Sequence, residues 1–309
     1  MTNKIVAIQG NHPKKLNVES DTSIFLAHEA QNKKYKIFYY EPKNLSIING
    51  KVIAKGFFVK FNYTNKKFFK ILKNQKLNLL NCKYLLIRQD PPFNLEYITT
   101  TYILDKIKNN VKIINNPTSI RNISEKLYSS SYQKFMPKTI FTRDMKEIKN
   151  FYKINKRMIV KPIHGYGGND IHLIQGVFKN QLITKFIKKH GHIMCQKFLP
   201  KIKYGDKRIW LIDGKICGAI SRVPKKNSFL SNLSKGAKAI IAKPTKIEKK
   251  ISNIIGKSLK NENIYFAGID FIDQKLNGDI NVTSPTGLKT YYDLSKINLA
   301  KTFWKGLKA

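Results

Sequence analysis

The chain has 309 residues, enough for one large or two to three small packed units, and its 42% hydrophobic and 11% aromatic content excludes a largely disordered protein. Lys and Arg number 58 against 19 acidic residues, a net charge of +39, yet only six of the 58 are Arg. Nucleic-acid recognition draws on the planar Arg fork, so the Lys excess reads as a solvated surface from AT-rich coding rather than a nucleic-acid footprint, although it still attracts anionic substrates.

In chain order, residues 4–9 read as a buried strand, 21–32 as a helix N-capped by Asp21, and 35–40 as a second strand, together a βαβ unit. Asn49-Gly50 within 45–54 marks a hairpin. A strand at 84–88, a helix at 95–108 and a short strand at 111–115 complete an α/β unit. A helical stretch over 118–133 follows, then a helix at 144–154, strands at 158–163 and 170–174, a helix at 178–189 and a strand at 193–199. Strands at 207–213 and 215–222 flank an Asp213-Gly214 turn. The polar segment 225–238 has no period and is expected to be a mobile flap. A helix at 245–260, strands at 264–272 and 279–283 and a last helix finish the chain. No apolar run reaches membrane-spanning length. Residues 1–10 lack the basic segment and extended apolar core of a signal peptide. Cys82, Cys195 and Cys217 have neither disulfide nor zinc spacing and fit a reducing cytoplasm.

Several groupings carry chemistry. Lys161 ends an apolar strand just before Pro162, Gly165, Gly167 and Gly168. Small residues let backbone N–H groups approach an anion, and the Lys adds a point charge. The spacing is neither a Walker A loop nor GxGxxG, and taken alone it equally suits a Gly-rich hairpin. Asp279 and Asn281, two apart on a strand, share a face. Asp270 lies in apolar Gly268-Ile-Asp-Phe-Ile272, where a carboxylate requires a partner. Three such oxygen ligands suit Mg²⁺, while Asp279 alone also reads as a surface turn acid. Arg208 follows Gly205-Asp206-Lys207 at a strand start and Arg222 ends the next strand; both suit phosphate or carboxylate, or simply exposed strand ends. Arg88 precedes Gln89-Asp90-Pro91-Pro92-Phe93, a rigid loop on which an Arg could clamp a carboxylate. The six histidines show no metal spacing and no adjacent nucleophile; His190 and His192 read as helix-end and loop residues.

Arg88-Gln-Asp-Pro-Pro-Phe93, Thr100-Thr-Tyr-Ile-Leu104, Asn116-Pro117, Ser124-Glu-Lys-Leu127, Val160-Lys-Pro162, Gly165-Tyr-Gly-Gly168, Gly205-Asp-Lys-Arg208, Gly268-Ile-Asp270 and Ile280-Asn-Val-Thr-Ser-Pro-Thr286 recur along almost the whole chain. With them the sequence resembles the bacterial glutathione synthetases of the ATP-grasp superfamily. The first and last strings are specific; the glycine loop alone is not. The resemblance implies an α/β and α+β architecture. A pre-ATP-grasp α/β substrate-binding domain would span 1–121. A two-subdomain ATP-grasp domain would span 122–309, divided into 122–200 and 201–309, the second carrying the flap. It implies a ligase that joins glycine to γ-glutamylcysteine through an acyl phosphate, with ATP as co-substrate and Mg²⁺ or Mn²⁺ as metal. It also implies a cytoplasmic homo-oligomer with no membrane partner.

By the same resemblance Lys126, Lys161, Gly165, Tyr166, Gly167, Gly168 and Asp206 hold ATP, with Gln196, Lys197, Phe198 and Leu199 lining the adenine pocket. Asp270, Asp279 and Asn281 hold the metal. Arg88, Ser284, Pro285 and Thr286 hold the peptide, and Arg208 and Arg222 supply catalytic charge. Five of the six Arg, at 88, 121, 143, 208 and 222, fall where the family also places Arg, which suggests positions needing a fork rather than a point charge. The family has Glu at Asp279 with one residue fewer before it, a Gly-richer flap carrying an Arg, and Arg where this chain has Lys289. The competing readings are another ATP-grasp carboxylate–amine ligase, such as one adding Glu, and a nucleic-acid-binding protein on a degenerate ligase fold.

Overall fold

The computed structural model describes residues 4–63 and 67–307; residues 1–3 and 308–309, which bound the two expected domains, lie outside them. The first unit runs β1 (Ile5–Gln9), α1 (Thr22–Asn32), β2 (Lys36–Tyr40), β3 (Leu45–Ile48), β4 (Lys51–Phe61), β5 (Phe69–Asn78), β6 (Tyr84–Ile87), α2 (Leu95–Asp105) and β7 (Lys112–Ile114). Its sheet has the order β3-β4-β2-β1-β6-β7, with β5 also on β4. The pairs among β2, β1, β6 and β7 are parallel, as βαβ crossovers dictate, and those of β4 are antiparallel. Asp21 caps α1 as expected, its Oδ1 accepting from Ile24 N at 2.7 Å.

The middle of the chain runs α3 (Pro117–Asn122), β8 (Thr139–Thr142), α4 (Met145–Asn155), β9 (Met158–Pro162), β10 (His172–Ile174), α5 (Asn180–His190) and β11 (Ile193–Lys197). It forms an antiparallel sheet in the order β10-β9-β11-β8. The last third has β12 (Asp206–Ile212), β13 (Lys215–Val223), β14 (Lys238–Ile241), α6 (Lys246–Asn261), β15 (Phe266–Ile272), β16 (Lys275–Asn281), α7 (Leu288–Ser295) and α8 (Leu299–Gly306). Its antiparallel sheet is ordered β14-β13-β12-β15-β16.

The cores are not divided along the chain. Phe38, Leu85 and Ile113 of the first sheet bury against one another in the same cluster as Ile209, Ile269 and Val282 of the last third. A second cluster joins Ile8, Tyr39 and Leu86 to Trp210, Ile220 and Trp304. Asn115 stitches the junction, donating to Phe266 O and Val282 O at 2.7 Å each and accepting from Tyr265 N and Phe266 N. The four-stranded sheet keeps its own core of Ile148, Met158, Val160, Ile183 and Ile193. The two-sheet body thus faces this sheet, which also lends Met194 and Phe141 to the shared cluster, and the cleft lies between them.

Several expectations need correction. The single helix over 118–133 is broken: α3 stops at Asn122, and a 3₁₀ segment runs from Leu127 to Phe135. Between them Ile123 leaves helical geometry (φ −99°, ψ 90°), and the Glu125 carbonyl beyond it accepts from Ile280 N rather than from a helical donor. The last strand begins at Lys275 rather than 279, after a two-residue turn in which Asp273 and Gln274 both have positive φ. Gln is an uncommon residue for that conformation, so no turn signal announced the hairpin. β5 was not expected; most of it is exposed, so neither face alternates. The flap segment 225–238 contains a 3₁₀ turn, Leu233–Lys235, and leads into the unexpected edge strand β14.

Candidate active site

A cleft of about 980 Å³ opens between the four-stranded sheet and the two-sheet body. Every residue expected in the site lines it except Arg88 and Pro285. Lys161, at the end of β9, and Lys126, beside the broken helix, converge on one carboxylate of β16. Asp279 Oδ1 lies 3.4 Å from Lys126 Nζ, and Oδ2 lies 3.5 Å from Lys161 Nζ. Burial raises the Asp279 carboxyl, but the two ammonium groups outweigh it and hold the group below the ordinary carboxylate range. Burial pulls the Lys161 ammonium down, with Asp279 working against it. Lys161 Nζ also donates to Asn277 O at 3.0 Å and Oδ1 at 3.1 Å. Asn277 was missed in the sequence, although the period-two face of Asp279 and Asn281, extended one step back, includes it.

The second charged group spans three strands. Arg208 on β12 grips Asp270 on β15 with Nε at 2.8 Å and Nη2 at 2.7 Å, and Arg222 on β13 reaches the same carboxylate at 3.0 Å. Burial disfavours the charged carboxylate, and the two guanidinium groups reverse this to hold Asp270 well below its usual range. Asp206, opposite Arg222 in the β12–β13 register, takes that guanidinium with both oxygens. The partner that buried Asp270 required is therefore an Arg pair, and Asp206 lines the cleft while pairing with Arg222.

Around β15 and β16 the oxygen donors fit a hard divalent cation. Asn281 Nδ2 points at Gly268 O (3.1 Å) and Asp270 Oδ2 (3.4 Å), which turns its amide oxygen away from those acceptors. Two carboxylates and one amide are few ligands for a cage, but they suit Mg²⁺, which keeps waters and binds substrate phosphates. Opposite Asp270 the β15–β16 register shifts, so that Asn277, Gly278 and Asp279 bulge against a single residue. Gly278 has φ +87°, and a Cβ there would lie 2.4 Å from Met194 Cε. Only glycine fits the bulge that carries Asp279.

The rest of the cleft is built from loops. Gln196 is buried and donates to Thr139 Oγ1 at 3.0 Å. The N–H groups of Lys197 and Phe198 already bond Lys138 O and Arg157 O. Segment 225–238 lies against the glycine loop: Lys235 Nζ bonds Asn169 Oδ1 at 2.8 Å, and Asn232 sits against Gly168. Ser284 lines the cleft with a buried Oγ that has no partner among the described residues. Pro285 is buried behind it. Arg88 lies behind the wall, its Nε donating to Ser23 Oγ at 3.1 Å, while Asp21 and Asp90 line the cleft in front of it. Burial lowers Arg88 and raises Asp21 and Asp90, with each carboxylate and the guanidinium partly offsetting the other. Arg88 thus sits behind Asp21 and Asp90, which the sequence offered only as a helix cap and a loop residue.

This architecture is the ATP-grasp ligase fold. The D-cycloserine synthetase DcsG superposes with a TM-score of 0.67 over 98% of each chain at 10% identity. The ATP-grasp ligase PsnB superposes at 0.64 over 99% of this chain and 98% of its own at 12% identity. The models of the prokaryotic glutathione synthetase N-terminal domain and ATP-grasp domain match residues 5–121 and 125–296. The glutathione synthetase of Rhodopseudomonas palustris is 34% identical over 98% of both chains. That of Buchnera aphidicola subsp. Baizongia pistaciae is 36% identical over 88% of this chain and 85% of its own. The chain belongs to the prokaryotic glutathione synthetase family.

Proposed function

We propose that the chain is an ATP-dependent ligase that joins glycine to γ-glutamylcysteine, giving glutathione, ADP and phosphate. The observation that carries this reading is the convergence of Lys126, Lys161, Arg208 and Arg222 with Asp270, Asp279 and Asn281 on one cleft, in a chain of this family. The peptide carboxylate attacks the γ-phosphorus of ATP, ADP leaves, and an acyl phosphate remains. The glycine amine adds to the acyl carbon, and the tetrahedral adduct loses a proton and expels phosphate. Lys126 and Lys161 neutralise phosphate charge, and Arg208 and Arg222 stabilise the charge that builds on the transferring group and the tetrahedral oxygen. Asp270, Asp279 and Asn281 would hold Mg²⁺ or Mn²⁺, which supplies Lewis-acid neutralisation of the phosphates when bound. Ser284 Oγ and Thr286 face the peptide; the unpaired hydroxyl of Ser284 is a donor waiting for an acceptor. Charge placement does most of the chemistry, so no acid–base triad is needed.

The substrate-binding domain is assigned to 1–121 and the ATP-grasp domain to 122–309. No helix among the described residues is long and apolar enough to cross a membrane. The free cysteines support a cytoplasmic location, and homo-oligomerisation rests on the family alone.

ADP formation is expected to require both γ-glutamylcysteine and glycine, with little product when Glu replaces glycine. Phosphate release measured with each omission decides this, and equal turnover with Glu moves the assignment to a different carboxylate–amine ligase. The flap is expected to shield the acyl phosphate from water. Trypsin should therefore cut within 225–238 in the free protein and several-fold more slowly with ATP and peptide bound. Equal cutting rates in both states would remove the flap's role.

A further inference from the structure

Glu125 has no role in the account so far, yet it holds the strand that carries the site. Its backbone carbonyl accepts from Ile280 N at 3.0 Å. Its Oε1 accepts from Val282 N at 2.8 Å, Thr283 N at 3.0 Å and Thr283 Oγ1 at 2.8 Å. Four hydrogen bonds to one residue thus bracket Asn281 on both sides and fix the chain between Asp279 and Ser284. The next residue is Lys126, whose Nζ pairs with Asp279 and donates to Gly165 O at 2.5 Å. One dipeptide therefore touches the end of β16, the peptide loop and the glycine loop. The helix ends at Asn122, and beyond Ile123 the Glu125 carbonyl accepts from Ile280 N of β16. A carboxylate taking three donors on one oxygen is a strong, charge-assisted acceptor, and nothing in the α3 region requires an acid for folding.

We propose that Glu125 is a positioning residue: it sets the register of Asp279, Asn281 and the 283–286 loop against Lys126, so that the metal ligands and the peptide-binding hydroxyls assemble as one unit. This rests on the ligase reading and adds to it. The carboxylate acts as an acceptor, not as a ligand, which makes a sharp distinction between variants. Glu125→Gln keeps an acceptor oxygen at the same reach; Glu125→Ala removes it and leaves two backbone N–H groups at 282 and 283 unpaired.

The test is Mn²⁺ binding in the presence of ADP, followed by electron paramagnetic resonance, alongside steady-state kinetics. Glu125→Ala is expected to weaken Mn²⁺ binding by about tenfold, the lower end for a disturbed metal shell. It should also raise KM for the peptide more than it lowers kcat, while Glu125→Gln stays within about threefold of the wild type. Thr283→Val, which removes one of the three donors, should give a smaller shift in the same direction and covers the case in which Glu125→Ala does not fold. Unchanged Mn²⁺ affinity in both Glu125→Ala and Thr283→Val overturns the proposal. Equal damage from Glu125→Gln and Glu125→Ala also overturns it, because the charge itself would then contact a ligand. If the wild type binds no Mn²⁺ with ADP, the ligase reading fails instead.

Discussion

Lys161→Ala is expected to lower ATP affinity by roughly ten- to a hundredfold, whereas His192→Ala leaves it unchanged. The Lys161 ammonium is buried at 4% exposure and aimed into the cleft, and hydrogen bonds to charged groups contribute about 1.5–3 kcal/mol, which is a tenfold change for every 1.4. Before ATP arrives this ammonium rests on Asp279 and Asn277, so nucleotide binding exchanges one set of acceptors for another, and the net effect is smaller than a bare charge would give. Lys161→Met keeps the aliphatic stem and separates lost charge from lost packing. His192 is exposed at the start of β11 and away from the cleft lining, which makes it a fair control. Calorimetric titration with ATP reads the difference, and equal affinities in the two variants would remove the phosphate role of Lys161.

Asp279→Ala is expected to cut activity at limiting Mg²⁺ by at least about tenfold, with partial rescue at high Mg²⁺. The shorter side chain places its carboxylate about 1.5 Å further back than a Glu would, one C–C bond. With the bulge at Asn277–Asp279 carrying this carboxylate, Asp279→Glu is expected to overfill the site and reduce activity. Asn281→Ala should resemble Asp279→Ala, since both project from the same strand face. A second signature separates ligand from counter-ion. Without Asp279 the Lys126 and Lys161 ammoniums lose their shared anion, so metal-free ATP should bind at least as tightly as to the wild type while the Mg²⁺ requirement rises. An unchanged Mg²⁺ dependence would reduce Asp279 to a structural acid. The folded pKa of Asp279 is depressed, so its ion pairs stabilise fully above the ordinary carboxylate pKa of about 3.9. That stability is lost as the pH falls through the depressed value. The loss should appear as a steeper fall of Tm in acid than Asp279→Ala shows, the remaining fall belonging to carboxylates such as Asp270.

Sequence patterning alone located most elements and the chemical residues. Alternation and capping gave the βαβ start with Asp21 at its cap, and Asn49-Gly50 gave the hairpin, because these signals are local. The residues themselves singled out Lys161, Asp270 and Asn281, and the family resemblance carried by the motif strings added Lys126. What stayed hidden depends on partners far away in the chain. Glu125 is held by residues 282 and 283, and the helix expected across it stops at Asn122. Asp206 is a neighbour of Arg222 only through the β12–β13 register, and Arg88 meets Ser23 only once α1 is packed on the first sheet. The shared cores of the first sheet and the last third, joined by Asn115 to Tyr265, Phe266 and Val282, could not be read from domain order along the chain. Local free energies decide which segment becomes a strand or a helix; which buried charge pairs with which is decided by the global packing that removes water from them. The chain's own sequence therefore determined the chemistry available to this protein, and the tertiary structure alone decided which of those groups face the cleft and which hold the others in place.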